Sequence, residues 1–256
     1  MAGQPAPDAR GLAAFYDEAY RGEGAQGPRF ARWRALGAVG KADHVIALCT
    51  RAGIAPASVL DVGCGDGALL AALRARGFGA TLRGVEITRA AVEMAARRPE
   101  IDSVELYDGV HLRGGEQERD LGVLSHVLEH VSDPVALLSE VARVCRAVVV
   151  EVPLEDNVSA RRAPTREQAA EIGHVQHLSR TSARGIVAAS GLRVAAELED
   201  PLPLAVHRFF AAGGRAQALA SAKWLARTAI HRVAPSLARR LFTVHYACLC
   251  LPAGRA

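Results

Sequence analysis

Apolar runs and helical periodicities alternate along this chain. Short apolar runs bounded by polar or glycine residues lie near 58–62, 81–86, 103–107, 120–125 and 147–152. Their length suits strands buried on both faces of a parallel sheet. Between them, near 68–76, 88–97, 134–145 and 180–190, apolar residues recur at the three- and four-residue spacing of helices, and another such stretch, 41–51, precedes the first strand. This alternation predicts an α/β fold, a doubly wound and mostly parallel sheet covered on both faces. Leu192–Leu198 and Leu241–Leu251 read as two further strands. The Ala-rich segment 201–240 between them has helical spacing around 219–230 and is long for a strand connection, so it is expected to be a lid, a substrate wall or a dimer contact. Phe15–Tyr20 and Arg29–Arg34 are expected to form an N-terminal helical cap over residues 1–40, broken by the Gly-rich 22–28, with residues 1–10 frayed. Residues 41–256 then make one domain.

The chemistry concentrates where these elements meet. Val59–Gly67 reads Val-Leu-Asp-Val-Gly-Cys-Gly-Asp-Gly, and Gly84-Val-Glu-Ile87 follows at the end of the next strand. Strand, glycine turn, helix, strand and tip carboxylate together make a nucleoside half-site: Glu86 is placed to accept from ribose hydroxyls and the glycines admit the rest of the ligand. Gly63, Gly65 and Ala68 also satisfy the loose dinucleotide pattern. Asp61, two residues before the first glycine, would repel a pyrophosphate and suits a cationic ligand.

With Asp61–Gly67, Val85-Glu86, Tyr107-Asp-Gly109 and Ser125–Pro134 in this order, residues 40–200 resemble the class I S-adenosylmethionine-dependent methyltransferases. The resemblance implies a Rossmann-like fold with an antiparallel last strand. It also implies that Asp61, Gly63, Cys64, Gly65 and Gly67 hold the methionine part of the cofactor. Glu86 and Ile87 would take the ribose, Asp108, Gly109 and Val110 the adenine, and Ser125 would complete the site.

Four of nine histidines fall in His126-Val-Leu-Glu129-His130 and Gly173-His174-Val-Gln-His177. If 126–130 form one helical turn, His126 and His130 face the same way. The spacing also fits a zinc-peptidase pattern, but that pattern needs a long helix here. The segment is closer to the E-x-x-E-H signature of metal-dependent small-RNA 2′-O- and ubiquinone-pathway O-methyltransferases. That resemblance implies a divalent metal on Glu129, His130 and His174, with His126 in place of the first glutamate. A His₃Glu set favours a transition metal over Mg²⁺. In a metal-free reading His126 is the general base and His174 the second choice, while the Leu-Glu-His-Val segment simply begins the next helix.

Composition narrows the partners. The chain has 256 residues, a net charge of +4 and 5% aromatic residues. Beyond Asp200 there are eight basic and no acidic residues. That asymmetry suits an acidic substrate, nucleic acid or a membrane surface, or else a solvated arginine-rich face. The aromatic content offers no stacking platform for nucleic acid. No signal peptide or membrane span is read, and five scattered cysteines suit a reducing cytoplasm. The expected activity is O-methylation of a small-molecule acceptor in specialised metabolism by a monomer or homodimer. The alternatives are N-methylation of a small amine, or methylation of nucleic acid through the basic C-terminal stretch.

Overall fold

The computed structural model describes residues 9–21 and 28–254. Residues 1–8 of the expected frayed start and 22–27 of the break lie outside the described residues, as does the Phe30 side chain; residues 9 and 10 are helical. The strands are β1 (Ser58–Val62), β2 (Thr81–Glu86), β3 (Ser103–Leu106), β4 (Arg119–Ser125), β5 (Cys145–Leu154), β6 (Leu192–Asp200) and β7 (Val244–Pro252). They form one sheet in the order β3-β2-β1-β4-β5-β7-β6. The first five strands are parallel, and β7 runs antiparallel between β5 and β6. The strand order reverses between β1 and β4, so the crevice for a ligand opens beyond Val62 and Ser125. This is the expected doubly wound sheet with its antiparallel closing strand.

Local chemistry fixes the helix ends that shape the crevice. α3 (Ala68–Ala75) follows Gly67, which is left-handed at φ 76°. α4 (Arg89–Ala95) leads from the β2 tip towards β3. α5 (Pro134–Val144) starts at Asp133, whose carboxylate accepts from Ala136 N–H at 2.9 Å, with Pro134 in the first turn. α7 (Arg180–Ala189) is capped by Ser179 in a reciprocal box with Ser182.

Two apolar layers sandwich the sheet. One joins Val59, Val123, Val149 and Leu249 to Val45, Leu48 and Leu70; the other joins Val62, Leu124, Val148 and Val150 to Leu138 and Val187. The five cysteines are buried and unpaired.

Sequence periodicity misjudged three stretches. α1 (Ala9–Arg21) matches the first cap segment, but α2 (Pro28–Ala52) is one helix that runs through the expected boundary at residue 40. α6 (Ala163–Glu171) lies between β5 and α7, where the sequence predicts no element; its sequence, Ala-Pro-Thr-Arg-Glu-Gln-Ala-Ala-Glu, carries no apolar stripe to announce a helix. The segment 201–240 contains α8 (Leu204–Arg208) and α9 (Gly213–Val233), and α10 (Pro235–Leu241) takes up the start of the expected last strand. α9 buries none of its residues. α10 anchors the segment through Ala238, which packs with Phe242 and Val244.

Candidate active site

One cavity of about 790 Å³ opens over the switch point, within the size range of small-ligand sites. Its two ends are built differently.

At the β1–β2 end the wall is mostly backbone. Gly63 N–H and Cys64 N–H both donate to Val85 O, tying the glycine turn to β2. Glu86 is buried at the β2 tip, where Oε2 accepts from Gly65 N–H at 2.9 Å and Oε1 accepts from Ile87 N–H at 2.7 Å and Thr88 N–H at 3.2 Å. Burial raises its pKa, while these three donors oppose the rise. Asp61 is also buried; loss of solvent, countered by Lys41 and reinforced by Glu86, pushes its carboxyl up to about 7. Gly84 has no Cβ for a reason: one added there would stand 2.5 Å from Cys64 Sγ. The Cys64 thiol thus packs onto β2, and burial holds its pKa well above the ordinary thiol value.

Asp61, Gly63, Cys64, Gly65, Glu86, Ile87, Gly109, Val110 and Ser125 all line the cavity. Gly67 and Asp108 do not. Gly67 lies behind the turn, where a Cβ would collide with the Ile101 side chain. The Asp108 carboxylate caps its own turn instead, accepting from Val110 N–H at 2.8 Å and His111 N–H at 2.7 Å. Those two bonds, with the His111 ring, draw its pKa down to about 2.

At the β4–β5–β7 end the wall is made of side chains. His126 follows β4 with φ 60°, a left-handed conformation that costs a non-glycine residue on the order of 1–3 kcal/mol. A single 3-10 turn, Leu128–His130, comes next. That break parts His126 from His130, so the expected one-faced pair does not form. Two clusters result. In the first, Glu129, His130 and His174 place one ligand-type atom each within 4.8 Å of the others. The stretch carrying His174 folds back over the turn, with Val175 N–H and Gln176 N–H donating to Glu129 O. His177 stays at the rim, with Nδ1 3.3 Å from Glu155 Oε2.

Around His130, the Tyr16 hydroxyl donates to Ile172 O at 2.8 Å and lies 2.7 Å from Nδ1, and Gly173 O is 3.1 Å from the same nitrogen. A proton on Nδ1 satisfies both acceptors and leaves Nε2 free. Burial disfavours the charged form of Glu129, yet His126, His130 and His174 outweigh it and bring its carboxyl down to about 2.

The second cluster comprises His126, Glu151 and His245. His44 on α2 joins Glu151 from one side and Asp200 from the other, each at 3.3 Å. Burial opposes its charge, but these two acids raise its pKa to about 9. Glu151 is pulled well below the ordinary carboxylate range by His126, His245 and His44, against the effect of burial. Burial and the charge of His126 lower His245. His126 itself is raised, because Glu129 and Glu151 outweigh burial and Lys41.

Sequence reasoning missed Glu151, His245, His44 and Asp200. A signal existed for Glu151, the only charge in Ala147–Leu154. The others needed the tertiary fold, because Asp200 and His245 meet as partners across β6 and β7.

The side of the cavity away from the glycine turn is walled by Trp33 of α2 and by Leu202, Pro203, Val206 and Phe210 of the 201–240 segment. Trp33 packs against Phe209 and Phe210 at centroid distances of 5.2 and 5.0 Å. Two of the C-terminal arginines turn inward: Arg239 pairs with Glu199 at 2.9 Å, and Arg227 stacks on Phe242.

This fold and site match known proteins. The family described as "Methyltransferase domain" matches residues 31–197. A ubiquinone biosynthesis O-methyltransferase of Thiobacillus denitrificans is 34% identical over 106 residues, covering 38% of this chain and 43% of that protein. This chain therefore matches less than half the length of that relative. Among solved structures, the [4+2]-cyclase SpnF superposes with a TM-score of 0.63 at 17% identity, covering 98% of this chain and 99% of SpnF. Geranyl diphosphate C-methyltransferase of Streptomyces coelicolor A3(2), solved with Mg²⁺, geranyl diphosphate and S-adenosyl-L-homocysteine, gives 0.60 at 14% identity, covering 84% of this chain and 78% of that one. The chain belongs to the methyltransferase-domain family, within the class I S-adenosylmethionine-dependent fold.

Proposed function

We propose that this protein is an S-adenosylmethionine-dependent methyltransferase that methylates an oxygen of a small-molecule acceptor. One observation carries the reading: a single cavity holds a glycine turn with a buried tip carboxylate at one end and a histidine–carboxylate wall at the other. The residues fit the cofactor. Glu86 is buried at the β2 tip, and we assign it to the ribose hydroxyls. Asp61 is an acid whose pKa is raised mainly by burial, and an ammonium or sulfonium group beside it would offset that burial. Bound there, S-adenosylmethionine supplies an electrophilic methyl group.

The chain's own task is alignment and exclusion of water. Trp33, Phe210 and Tyr16 close the acceptor side. In the metal-free protein His126 is the group we assign to take an acceptor hydroxyl proton, with Glu129 and Glu151 beside it to stabilise the imidazolium that results. His174, its Nδ1 2.9 Å from Glu155, is the second basic group. Glu129, His130 and His174 are three of the four ligand residues that the E-x-x-E-H resemblance implies. Among the described residues Glu129 Oε2 has no hydrogen-bond partner, while Oε1 faces His126 Nδ1 at 3.0 Å, which fits a metal ligand. Glu129, His130 and His174 would hold a divalent ion, which would supply Lewis acidity toward a nearby hydroxyl. Small molecules are favoured over nucleic acid because two C-terminal arginines are used internally and the apolar wall encloses the acceptor.

The test is transfer of labelled methyl from S-adenosylmethionine to a panel of small phenols, hydroxy acids and amines. Labelled methyl ether or ester is expected. Label on amines alone would contradict the oxygen assignment.

A further inference from the structure

We propose that His126, His245 and Glu151 form a binding site for a divalent transition-metal ion, separate from the Glu129–His130–His174 cluster. His126 Nε2 lies 3.2 Å from His245 Nδ1 and 3.7 Å from Glu151 Oε1, and His245 Nδ1 lies 3.4 Å from Glu151 Oε1. Donors sharing a tetrahedral ion at about 2.0–2.2 Å stand about 3.3–3.6 Å apart. The three nitrogen and oxygen atoms therefore already outline one face of such a tetrahedron.

A second observation points to a ligand. Glu151 is 1% exposed, and among the described residues its Oε2 has no hydrogen-bond partner. A buried carboxylate oxygen left in that state calls for a partner. Three neighbouring strands supply the donors: β4 through the residue after it, β5 and β7. His126 takes a left-handed backbone to put its ring there.

The surroundings suit metal ligands. His126 presents Nδ1 to Glu129 Oε1 at 3.0 Å, so a carboxylate backs the ligating imidazole. His44 stands between Glu151 and Asp200, its Nδ1 3.3 Å from the same Glu151 Oε1 and its Nε2 3.3 Å from Asp200. Two imidazoles and one carboxylate leave one coordination position open, and all three residues line the cavity. That donor set selects Zn²⁺ or a similar borderline ion over Mg²⁺ or Ca²⁺. A role for the ion in activating the acceptor rests on the methyl-transfer reading; its binding does not.

The test is Co²⁺ and Zn²⁺ titration of the full chain after chelator treatment and dialysis, read by visible Co²⁺ absorption and elemental analysis. The wild type is expected to bind the ion with a tetrahedral Co²⁺ spectrum. His245→Ala and Glu151→Gln should each weaken binding on the order of 100-fold or more. His174→Ala, which removes a ligand of the other cluster, should still show a tetrahedral Co²⁺ spectrum, reduced at most by the share of that cluster. Far-UV circular dichroism and S-adenosylhomocysteine affinity of each variant show whether it is folded; should His245→Ala misfold, Glu151→Gln decides. Failure of the wild type to bind either ion would overturn the site, as would spectral loss in His174→Ala with full retention in Glu151→Gln. S-adenosylhomocysteine binding without metal would overturn only this site. Metal binding without cofactor binding would overturn only the methyltransferase reading.

Discussion

The two ends of the cavity are made by different means. The cofactor end is assembled by backbone from about thirty consecutive residues, Val59–Thr88. Its key contacts are N–H groups on Glu86 and a turn clamped to Val85 O. The acceptor end is assembled by side chains from α2, the residues after β4, β5, the stretch after α6, β6 and β7. Its contacts join residues more than a hundred positions apart, such as His126 and His245. A contiguous backbone site tolerates change around it, whereas a convergent side-chain site can be re-specified one residue at a time. The fold shared with a cyclase and a C-methyltransferase at low identity fits this division.

The sharpest way to break the comparison is to separate turnover from cofactor binding. His126→Ala should lower kcat by about 10²–10⁴ while leaving S-adenosylmethionine affinity within a few-fold of wild type, checked by steady-state kinetics beside calorimetry. Equal losses in both would mean that the two ends are not independent.

The complementary change, Glu86→Ala, should weaken S-adenosylmethionine binding by about 1–3 kcal/mol, because charge-assisted bonds to the ribose are lost. Unchanged affinity would remove Glu86 from the site.

The different legibility of the two ends follows from the same division. Asp61–Gly67 and Glu86 lie in one local pattern, so residue spacing alone places them. Glu129, His130 and His174 are grouped through the E-x-x-E-H resemblance, and one loop folding back on one turn brings them together. Of the partners expected for His126, Glu129 is reached at 3.0 Å, whereas His130 falls in the other cluster because the backbone at residue 126 is left-handed. His44, Asp200 and His245 carry no local signature; only strand pairing and helix packing bring them to Glu151. Asp108 sits in the Tyr107–Gly109 motif, but its carboxylate caps its own turn and does not line the cavity.

Packing beneath the cofactor end gives a stability test. Gly84→Ala drives a methyl into Cys64, and should destabilise the fold by about 1–3 kcal/mol. That corresponds to a fall in Tm of roughly 2–4 °C per kcal/mol for a chain of this size. Cys64→Ala in the same chain should restore part of the loss in a thermal melt.

The smallest expected effect is on pH. The Asp61 carboxyl, at about 7 in the folded protein, is protonated on the acid side of neutrality. Affinity for cationic S-adenosylmethionine should fall, by at most about tenfold per unit, as pH drops below 7. Asp61→Asn should flatten that profile. Stability moves in the opposite sense. A carboxyl with a raised folded pKa contributes its share fully below its unfolded value near 4, and loses it as pH rises through about 7.

The most direct measurement is calorimetric titration of the wild type and Glu86→Ala with S-adenosylmethionine, and of the wild type with NAD. The account predicts one S-adenosylmethionine site per chain, weakened in Glu86→Ala, and no heat with NAD. Saturable NAD binding, or no S-adenosylmethionine binding by the folded wild type, would contradict it.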